Sequence, residues 1–419
     1  MLIAEDRMSA QKQIASIQGI AFTDLAKQFG TPLYVYNAES IKKQFDTLNG
    51  AFDKAVPLRI KYAAKALTNI SILKLMKQIG AGLDVVSIQE LHIGIKAGFK
   101  ASEIMYTPNC VAFEEIEEAV KLGVTLNLDS LPFLELFGQK YGNTVPLCIR
   151  INPHVEAGGN EKIKTGHAES KFGISIEQLE EVYSLVEKYN IQISGLHVHT
   201  GSDFGDIDVF IKVAELMFGV ASQFKQLRFL DFGSGFKVAY KEGDKVTDIA
   251  RLGQKMSEAF QAFCGRYGKQ LELWFEPGKY LVSECGFLLA QATVIKKTPA
   301  TTFIGVDTGL NHLIRPMMYN AYHSIFNASN PDGEIKKYSV VGNICETDTF
   351  GWDRQITETK IGDIIAFKNA GAYGFSMSSN YNSRLRPAEV LIYNGKAFLI
   401  RERENLEDVL RNQIEVDLQ

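Results

Sequence analysis

The stretch RIKYAAKALTNISILKLMKQIGAGLDVVSIQELHIGIKAG, residues 59–98, repeats one rhythm twice. RIKYAAK (59–65) is an apolar, β-forming run that ends in a lysine set among alanines. Thr68-Asn69 offers a helix start, and SILKLMKQIG places apolar residues three and four apart before stopping on Gly80. GLDVVS (82–87) is a second strand, and QELHIGIKAG has the same helical spacing and the same glycine stop. Strands separated by helices must run parallel, because a crossover of that length returns the chain in its original direction.

The rhythm continues outward. Strand-like runs lie at 103–107, 125–130, 145–152, 193–200, 227–233 and 271–276, each followed by a polar or helical stretch. Eight strand-then-helix units have the size of a closed (β/α)8 barrel of the TIM type. A doubly wound open sheet is the competitor, since counting does not show closure. Residues 1–30 read as a helical preamble ending at Gly30. TPLYVYN (31–37) reads as a strand able to pair with the far end of the chain. After residue 282 the texture changes to short strands: FLLAQATVIKKT, TFIGVDT, YSVVGNI, DIIAFKNAGAYG and AEVLIYNGKAFLIRE, with a tight hairpin at YNGK (393–396). Helical spacing returns only at 404–413. The expected architecture is therefore a barrel over 38–281 and a separate, mostly β domain built from 1–37 and 282–419.

Bulk properties narrow the function. The 419 residues carry a net charge of -4, with 22% charged and 46% hydrophobic residues. That balance gives no electrostatic case for nucleic acid or an anionic membrane. No apolar run reaches the ~20 residues of a spanning helix, and the opening MLIAEDRMSAQKQ lacks a signal-peptide core. Five scattered cysteines form no CxxC pair, which fits a reducing cytoplasm.

The unusual residues gather where a barrel collects its chemistry, at the C-terminal ends of the strands. Lys65 ends strand one, and a lysine desolvated there can act as a Schiff-base amine. His197 and His199 close strand six in GLHVHTGSD, Gly233-Ser234-Gly235 follows strand seven, and Glu276 ends strand eight in WFEPGKY. These parts suit pyridoxal 5′-phosphate. The lysine holds the cofactor, a glycine loop approaches its phosphate, an imidazole covers its ring, and a carboxylate keeps the ring nitrogen protonated. No metal is expected. An HxH pair invites zinc, but a catalytic zinc wants about three protein ligands, and no other histidine was placed at a strand end.

YAAKA, DVVS, RINP, ESKFGI (169–174), HVHTGS, GSGF, EPGK, NHLIRPMMYNAYH, VGNICETDTF and GAYGFSMSSNYNSRLRPAEV occur in this order. From about residue 31 to 400 the chain thereby resembles the fold-type III pyridoxal phosphate decarboxylases, most closely the diaminopimelate decarboxylase family of lysine biosynthesis. The resemblance implies Lys65 as the Schiff-base lysine and His199 stacked on the ring. It gives Ser202, Gly233, Ser234, Gly235 and Gly278 to the phosphate and its surroundings, Glu276 to the ring nitrogen, and Asp84 and Arg150 to support. It further implies Arg315, Tyr319, Glu346 and Lys279 at the substrate, and Tyr373 against cofactor and substrate. Cys345 would be the acid that reprotonates the substrate carbon, reaching the neighbouring active site of a homodimer. The expected reaction is decarboxylation of meso-2,6-diaminopimelate to L-lysine.

Four positions depart from the family pattern. Lys279 stands where arginine is usual, Ser234 where glycine is usual, and His312 where an acidic residue is common. The CETDTF loop is one residue short. The alternatives are an ornithine- or arginine-type decarboxylase of the same fold, a metal hydrolase, a non-catalytic cofactor-binding protein and a racemase. Racemases of this fold place an arginine at the ring nitrogen, and Glu276 argues against that.

Overall fold

Asn69 starts the helix expected after Lys65: its side chain accepts the Ser71 N–H at 2.9 Å and caps Ile70–Gln78. The structure, a computed structural model, describes residues 15–155, 169–203 and 205–418. It falls into two compact units: 42–239 with 243–281, and 1–41 with 240–242 and 282–419.

The first unit is a closed parallel barrel. Its strands are Leu58–Ala63, Gly82–Val85, Ile104–Tyr106, Thr125–Leu128, Leu147–Asn152, Ile193–His197, Phe229–Asp231 and Glu272–Phe275. Each pairs with the next, and closure comes from the eighth strand against the first, with Leu273 opposite Leu58. The open doubly wound sheet is thereby excluded. Ile174–Ser175, inside the ESKFGI stretch, extends the sheet alongside strand five. The connecting helices follow the sequence signals. Ser87, Asp206 and Asp248 accept N–H bonds at the starts of Ile88–Lys96, Ile207–Ala221 and Ile249–Tyr267, and Gly268 stops the last with φ +77°. Met105, Cys148, Phe229 and Trp274 pack inside the barrel, with the Phe229 and Trp274 rings stacked 3.6 Å apart.

In the second unit, the twelve-residue strand Gly286–Lys297 is the hub. It pairs with Leu33–Asn37, Thr302–Val306 and Ile364–Lys368. Residues 286–290 at the start of the hub are buried, paired with Leu33–Asn37 on one edge and Ile364–Lys368 on the other. Leu33–Asn37 also runs parallel to Ala388–Tyr393, so TPLYVYN does pair with the end of the chain. The YNGK hairpin forms with Asn394 and Gly395 at φ +50° and +70°. The core gathers Leu33, Val35, Leu289, Ala366, Val390 and Ile392.

Several boundaries differ from expectation. The described part of the preamble begins as a two-stranded hairpin, Ser16–Ile17 with Ile20–Ala21, before the helix Phe22–Phe29. Residues 1–14 lie outside the described residues. Ile335–Val341 pairs with Thr349–Thr357, a strand that charged Asp353 and Arg354 conceal in the sequence. Tyr240–Glu242 groups with the β unit rather than the barrel. Among the described residues, no helix is long and apolar enough to cross a membrane.

Candidate active site

Lys65 is not on strand one. The strand ends at Ala63, and Ala64–Ala66 forms a single 3-10 turn. The Leu67 N–H and the Thr68 hydroxyl both donate to Ala64 O, at 3.1 and 2.8 Å. The flanking alanines have a packing reason. A Cβ on Gly278 would meet Ala66 Cβ at 3.1 Å and Ala63 Cβ at 3.2 Å, and Ala63 N–H donates to Pro277 O. The EPGK loop lies directly on the lysine's turn, so larger neighbours would push it away.

Lys65 itself is exposed, contrary to the expected desolvated amine. The buried lysine of this stretch is Lys61, whose Nζ sits 4.1 Å over the Trp274 ring and donates to Glu103 O. Burial lowers Lys61 to about 8 against the pull of nearby carboxylates. Lys65 instead acts electrostatically on Asp84, Glu90, His197, His199 and Glu276.

The strand-seven loop is shaped by its glycines. Gly233 has φ +58°, and a Cβ there would lie 2.6 Å from His199 Nδ1. Only glycine lets the loop approach the imidazole so closely. Gly233 N–H donates to Asp231 Oδ1 at 2.8 Å, and Ser234 N–H reaches His199 Nδ1 at 3.3 Å. Ser234, the departure from the family pattern, uses its hydroxyl to bind Glu276 O at 3.0 Å, while Glu276 N–H donates to Gly233 O at 2.7 Å. Strands seven and eight are thus stitched together at their ends. Gly235, at φ +106°, continues the turn. Ser202 is half-buried in the loop after strand six.

Burial separates the titrations of the carboxylates. Asp84, on strand two, is pushed up to about 8 by burial and by Glu276, against Lys65. Asp231 is also raised, by burial and then Glu276. For Glu276, burial acts upward but is outweighed by His197, Lys65 and His199, which bring it down to about 2. Of the three carboxylates, Glu276 is the one brought down rather than pushed up. Its Oε2 lies 3.3 Å from His197 Nε2, within ion-pair reach, and that Nε2 and the carboxylate's Oε1 are both buried without a hydrogen bond of good geometry among the described residues. His199 is held neutral by burial first, then by Arg150 and Lys65. Arg150 is buried, with its guanidinium 4.8 Å from the Phe172 ring.

These features fit pyridoxal 5′-phosphate. A buried anionic oxygen awaits a ring N–H, a neutral imidazole lies beside it, and a glycine turn has no side chains in the way. They fit an HxH metal site less well. The potential ligands that lie together are His197, Asp231 and Glu276, all within 4.8 Å, and His199 is not among them. His154, contrary to expectation, does stand two residues beyond strand five, but it faces Glu177 at 4.0 Å.

Lys279 does not present a free charge. It pairs with Asp203 in the loop after strand six, so the lysine that replaces arginine has an acid beside it.

In the β unit, Arg315 begins the short helix Arg315–Tyr319. Its guanidinium is buried, 5.1 Å from the Tyr240 ring and 6.0 Å from the Tyr373 ring, with Nε unpartnered among the described residues. Tyr373 sits at φ +56°, a conformation non-glycine residues rarely take. Tyr319 is half-buried at the helix end. His312 is structural: its ring nitrogens meet Thr308 Oγ1 at 3.0 Å and Leu385 O at 3.1 Å. Cys345 and Glu346 are exposed. The Cys345 N–H donates to Asn382 Oδ1, and the Tyr381 hydroxyl donates to Glu346 Oε1 at 2.8 Å.

Sequence reasoning passed over Glu90, Asn127, Asp203, Asp231, Tyr240 and Tyr381. Glu90 had a signal, the SxxE capping pattern of Ser87–Glu90. Tyr240 had none, since it lies in a stretch with barrel periodicity on both sides.

Comparison with known proteins bears on this geometry. Residues 38–283 match the family model of the pyridoxal-dependent decarboxylases, pyridoxal binding domain. Diaminopimelate decarboxylase of Methanothermobacter thermautotrophicus is 37% identical over 406 residues, covering 95% of each chain. That of Aquifex aeolicus is 36% identical, covering 96% of each. The crystal structure of Helicobacter pylori diaminopimelate decarboxylase complexed with L-lysine superposes with a TM-score of 0.85 at 35% identity, covering 93% of this chain and 98% of that one.

Proposed function

The chain belongs to the diaminopimelate decarboxylase family of pyridoxal-dependent decarboxylases, and from that premise we propose how its residues turn meso-2,6-diaminopimelate into L-lysine and carbon dioxide. Pyridoxal 5′-phosphate, when bound, supplies the electron sink that accepts the pair left by the departing carboxylate. Lys65 would hold it covalently through its side-chain amine. His199 offers a flat, uncharged face to the ring. Glu276 gives its unpartnered Oε1 to the ring nitrogen, an ionic contact in a dry setting that keeps the nitrogen protonated. Gly233 and Ser234 have already used their N–H groups within the protein, so the phosphate falls to Gly235, Gly278 and the Ser202 hydroxyl. Asp84 and Arg150 support the base of the site.

The substrate's far end carries both a carboxylate and an ammonium. Arg315 meets the carboxylate, Glu346 the ammonium, and Tyr319 adds a hydrogen bond. Lys279 is neutralised by Asp203 and so contributes less to the carboxylate than Arg315 does. Tyr373 touches cofactor and substrate. Cys345 returns a proton to the substrate carbon from a second copy of the chain. The working unit is then a homodimer in which the barrel domain, 38–281, carries the cofactor and the β domain, 1–37 with 282–419, supplies the rest. The cytoplasm is the proposed location, in keeping with five cysteines that form no disulfide.

The buried, charged Glu276 with one open oxygen carries this reading, because only an anion there sustains the full electron sink. Steady-state kinetics of the holoenzyme test it. The kcat/KM for meso-diaminopimelate should exceed that for L-ornithine, L-lysine or L-arginine by about 10³ or more, since a buried arginine faces an ornithine-type ammonium with no anion to pair. Equal or better turnover of L-ornithine would overturn the substrate assignment.

A further inference from the structure

We propose that His197 is a positioning residue for the decarboxylation: Asn127 sets its tautomer, and its Nε2–H then holds Glu276 Oε2 so that Oε1 is left to the cofactor ring. The inference rests on the assignment of Glu276 to the ring nitrogen.

Asn127, on strand four, is fully buried, and its Nδ2 lies 2.7 Å from His197 Nδ1 and 3.4 Å from Thr107 Oγ1. An amide nitrogen donates, so Nδ1 accepts and the neutral imidazole carries its proton on Nε2. The reverse amide orientation would move that proton to Nδ1 and turn an imidazole lone pair toward the Glu276 carboxylate, 3.3 Å away. Charge repulsion disfavours it. Thr107 in turn bonds to Asp84. One line of polar groups therefore joins the two carboxylates: Asp84, Thr107, Asn127, His197 and Glu276. It crosses the barrel interior on strands two, four and six and at the ends of strands three and eight.

The charged and titratable groups that act on this pair support the same arrangement. Glu276 is influenced by His197, Lys65 and His199, and it raises both Asp84 and Asp231. His197 is lowered by burial first, partly offset by Glu276, with Arg150 and Lys65 adding to the lowering. A second proton on His197 is thus disfavoured, and burial and Glu276 push Asp231 toward its protonated form. The negative charge remains on Glu276, where His197 can donate to it without competing for it. This orientation through a neighbour is the same device by which a carboxylate fixes a metal-bound histidine, here with the roles exchanged.

The test uses the full chain. In the apoenzyme, ¹⁵N-histidine NMR should find His197 neutral, with Nε2 protonated and Nδ1 accepting. ¹³C-carboxyl NMR should find Glu276 ionised down to about pH 4, and its titration should move upward in His197→Phe. Asn127→Asp should shift His197 to the Nδ1–H or doubly protonated form. In the holoenzyme, His197→Phe should lower kcat by roughly 10- to 100-fold with little change in KM. His197→Gln, which can place an N–H near the same spot, should recover most of the loss. An Nδ1–H tautomer in the wild type overturns the proposal even if no variant folds. So does an unmoved Glu276 titration in a folded His197→Phe, or a stoichiometric metal bound by His197, Asp231 and Glu276. Loading with ¹⁵N-labelled cofactor separates the two assignments. A ring nitrogen that is unprotonated while Glu276 and His197 behave as described removes Glu276 from the ring without touching the relay.

Discussion

Glu276 is tied on every side. Its N–H goes to Gly233 O, its carbonyl accepts from Ser234, and one carboxylate oxygen faces His197. Cys345 and Glu346 stand in solvent against the turn at 381–382, where the Cys345 N–H donates to Asn382 and the Tyr381 hydroxyl donates to Glu346. The barrel site is assembled within a single barrel, from strand ends that parallel pairing forces together. The Cys345-Glu346 loop is displayed rather than enclosed, and an exposed thiol and carboxylate do little until another surface covers them. The contrast locates the bond-breaking chemistry in the barrel. On the proposed function, specificity and reprotonation then depend on what covers the β-domain loop.

The largest expected effect is Lys65→Ala, which should lower carbon dioxide release from meso-diaminopimelate by roughly 10⁴-fold or more, as the loss of a covalent catalyst does. Borohydride-trapped cofactor should map to Lys65 in the wild type. Trapping on Lys61 instead would shift the chemistry to the buried lysine. Next comes Arg315→Ala, in the β domain. It should raise KM for diaminopimelate and erase most of the ~10³ preference over L-ornithine; an unchanged preference would take Arg315 out of the substrate's binding.

Glu276→Gln and Cys345→Ser should each slow turnover by about 10²-fold, but differently. Glu276→Gln should alter the visible absorbance of bound cofactor. Cys345→Ser should leave the spectrum unchanged. Mixing inactive Lys65→Ala with Cys345→Ala subunits should restore one working site per heterodimer. Verified heterodimers without activity would return Cys345 to its own chain's site.

A smaller effect is the acid sensitivity of the β unit. His312 and His323, both in the β unit, are lowered to about 4 and about 3, by burial first. The unfolded chain therefore binds more protons than the folded one once the pH drops below about 6.5. The stability they contribute is whole above that value and is lost as pH falls through 4 and 3, on the order of 3 kcal/mol for His312. Urea midpoints at pH 7 and pH 4.5 should show the loss, and His312→Asn should flatten it. Identical slopes in the two proteins would assign the acid sensitivity elsewhere. The smallest expected effect is Tyr381→Phe. It removes an exposed hydrogen bond to Glu346 and should cost at most a few-fold in KM.

Much of this was open to reading from residues 59–98 outward. The barrel followed from periodicity, because strands and helices bury their apolar faces with different spacing. That Lys65, His199, Gly233 and Glu276 stand just after strands one, six, seven and eight was readable, since chain order and parallel pairing dictate which ends meet; their roles remain those proposed above. The preamble hairpin, the strand Thr349–Thr357 and the membership of Tyr240 in the β unit were not readable, because each depends on a partner far away in sequence.

What the sequence determined by itself is the set of strand ends and the residue types standing at them. What only the tertiary structure decided is their charge. Nothing in RIKYAAKALTN shows that Lys61 is the buried lysine and Lys65 the exposed one. Nothing in three separate acidic residues shows that folding brings Glu276 down while it pushes Asp84 and Asp231 up. Those outcomes depend on burial and on charges brought close by folding, and a buried charge is stabilised only by the neighbours it acquires in three dimensions.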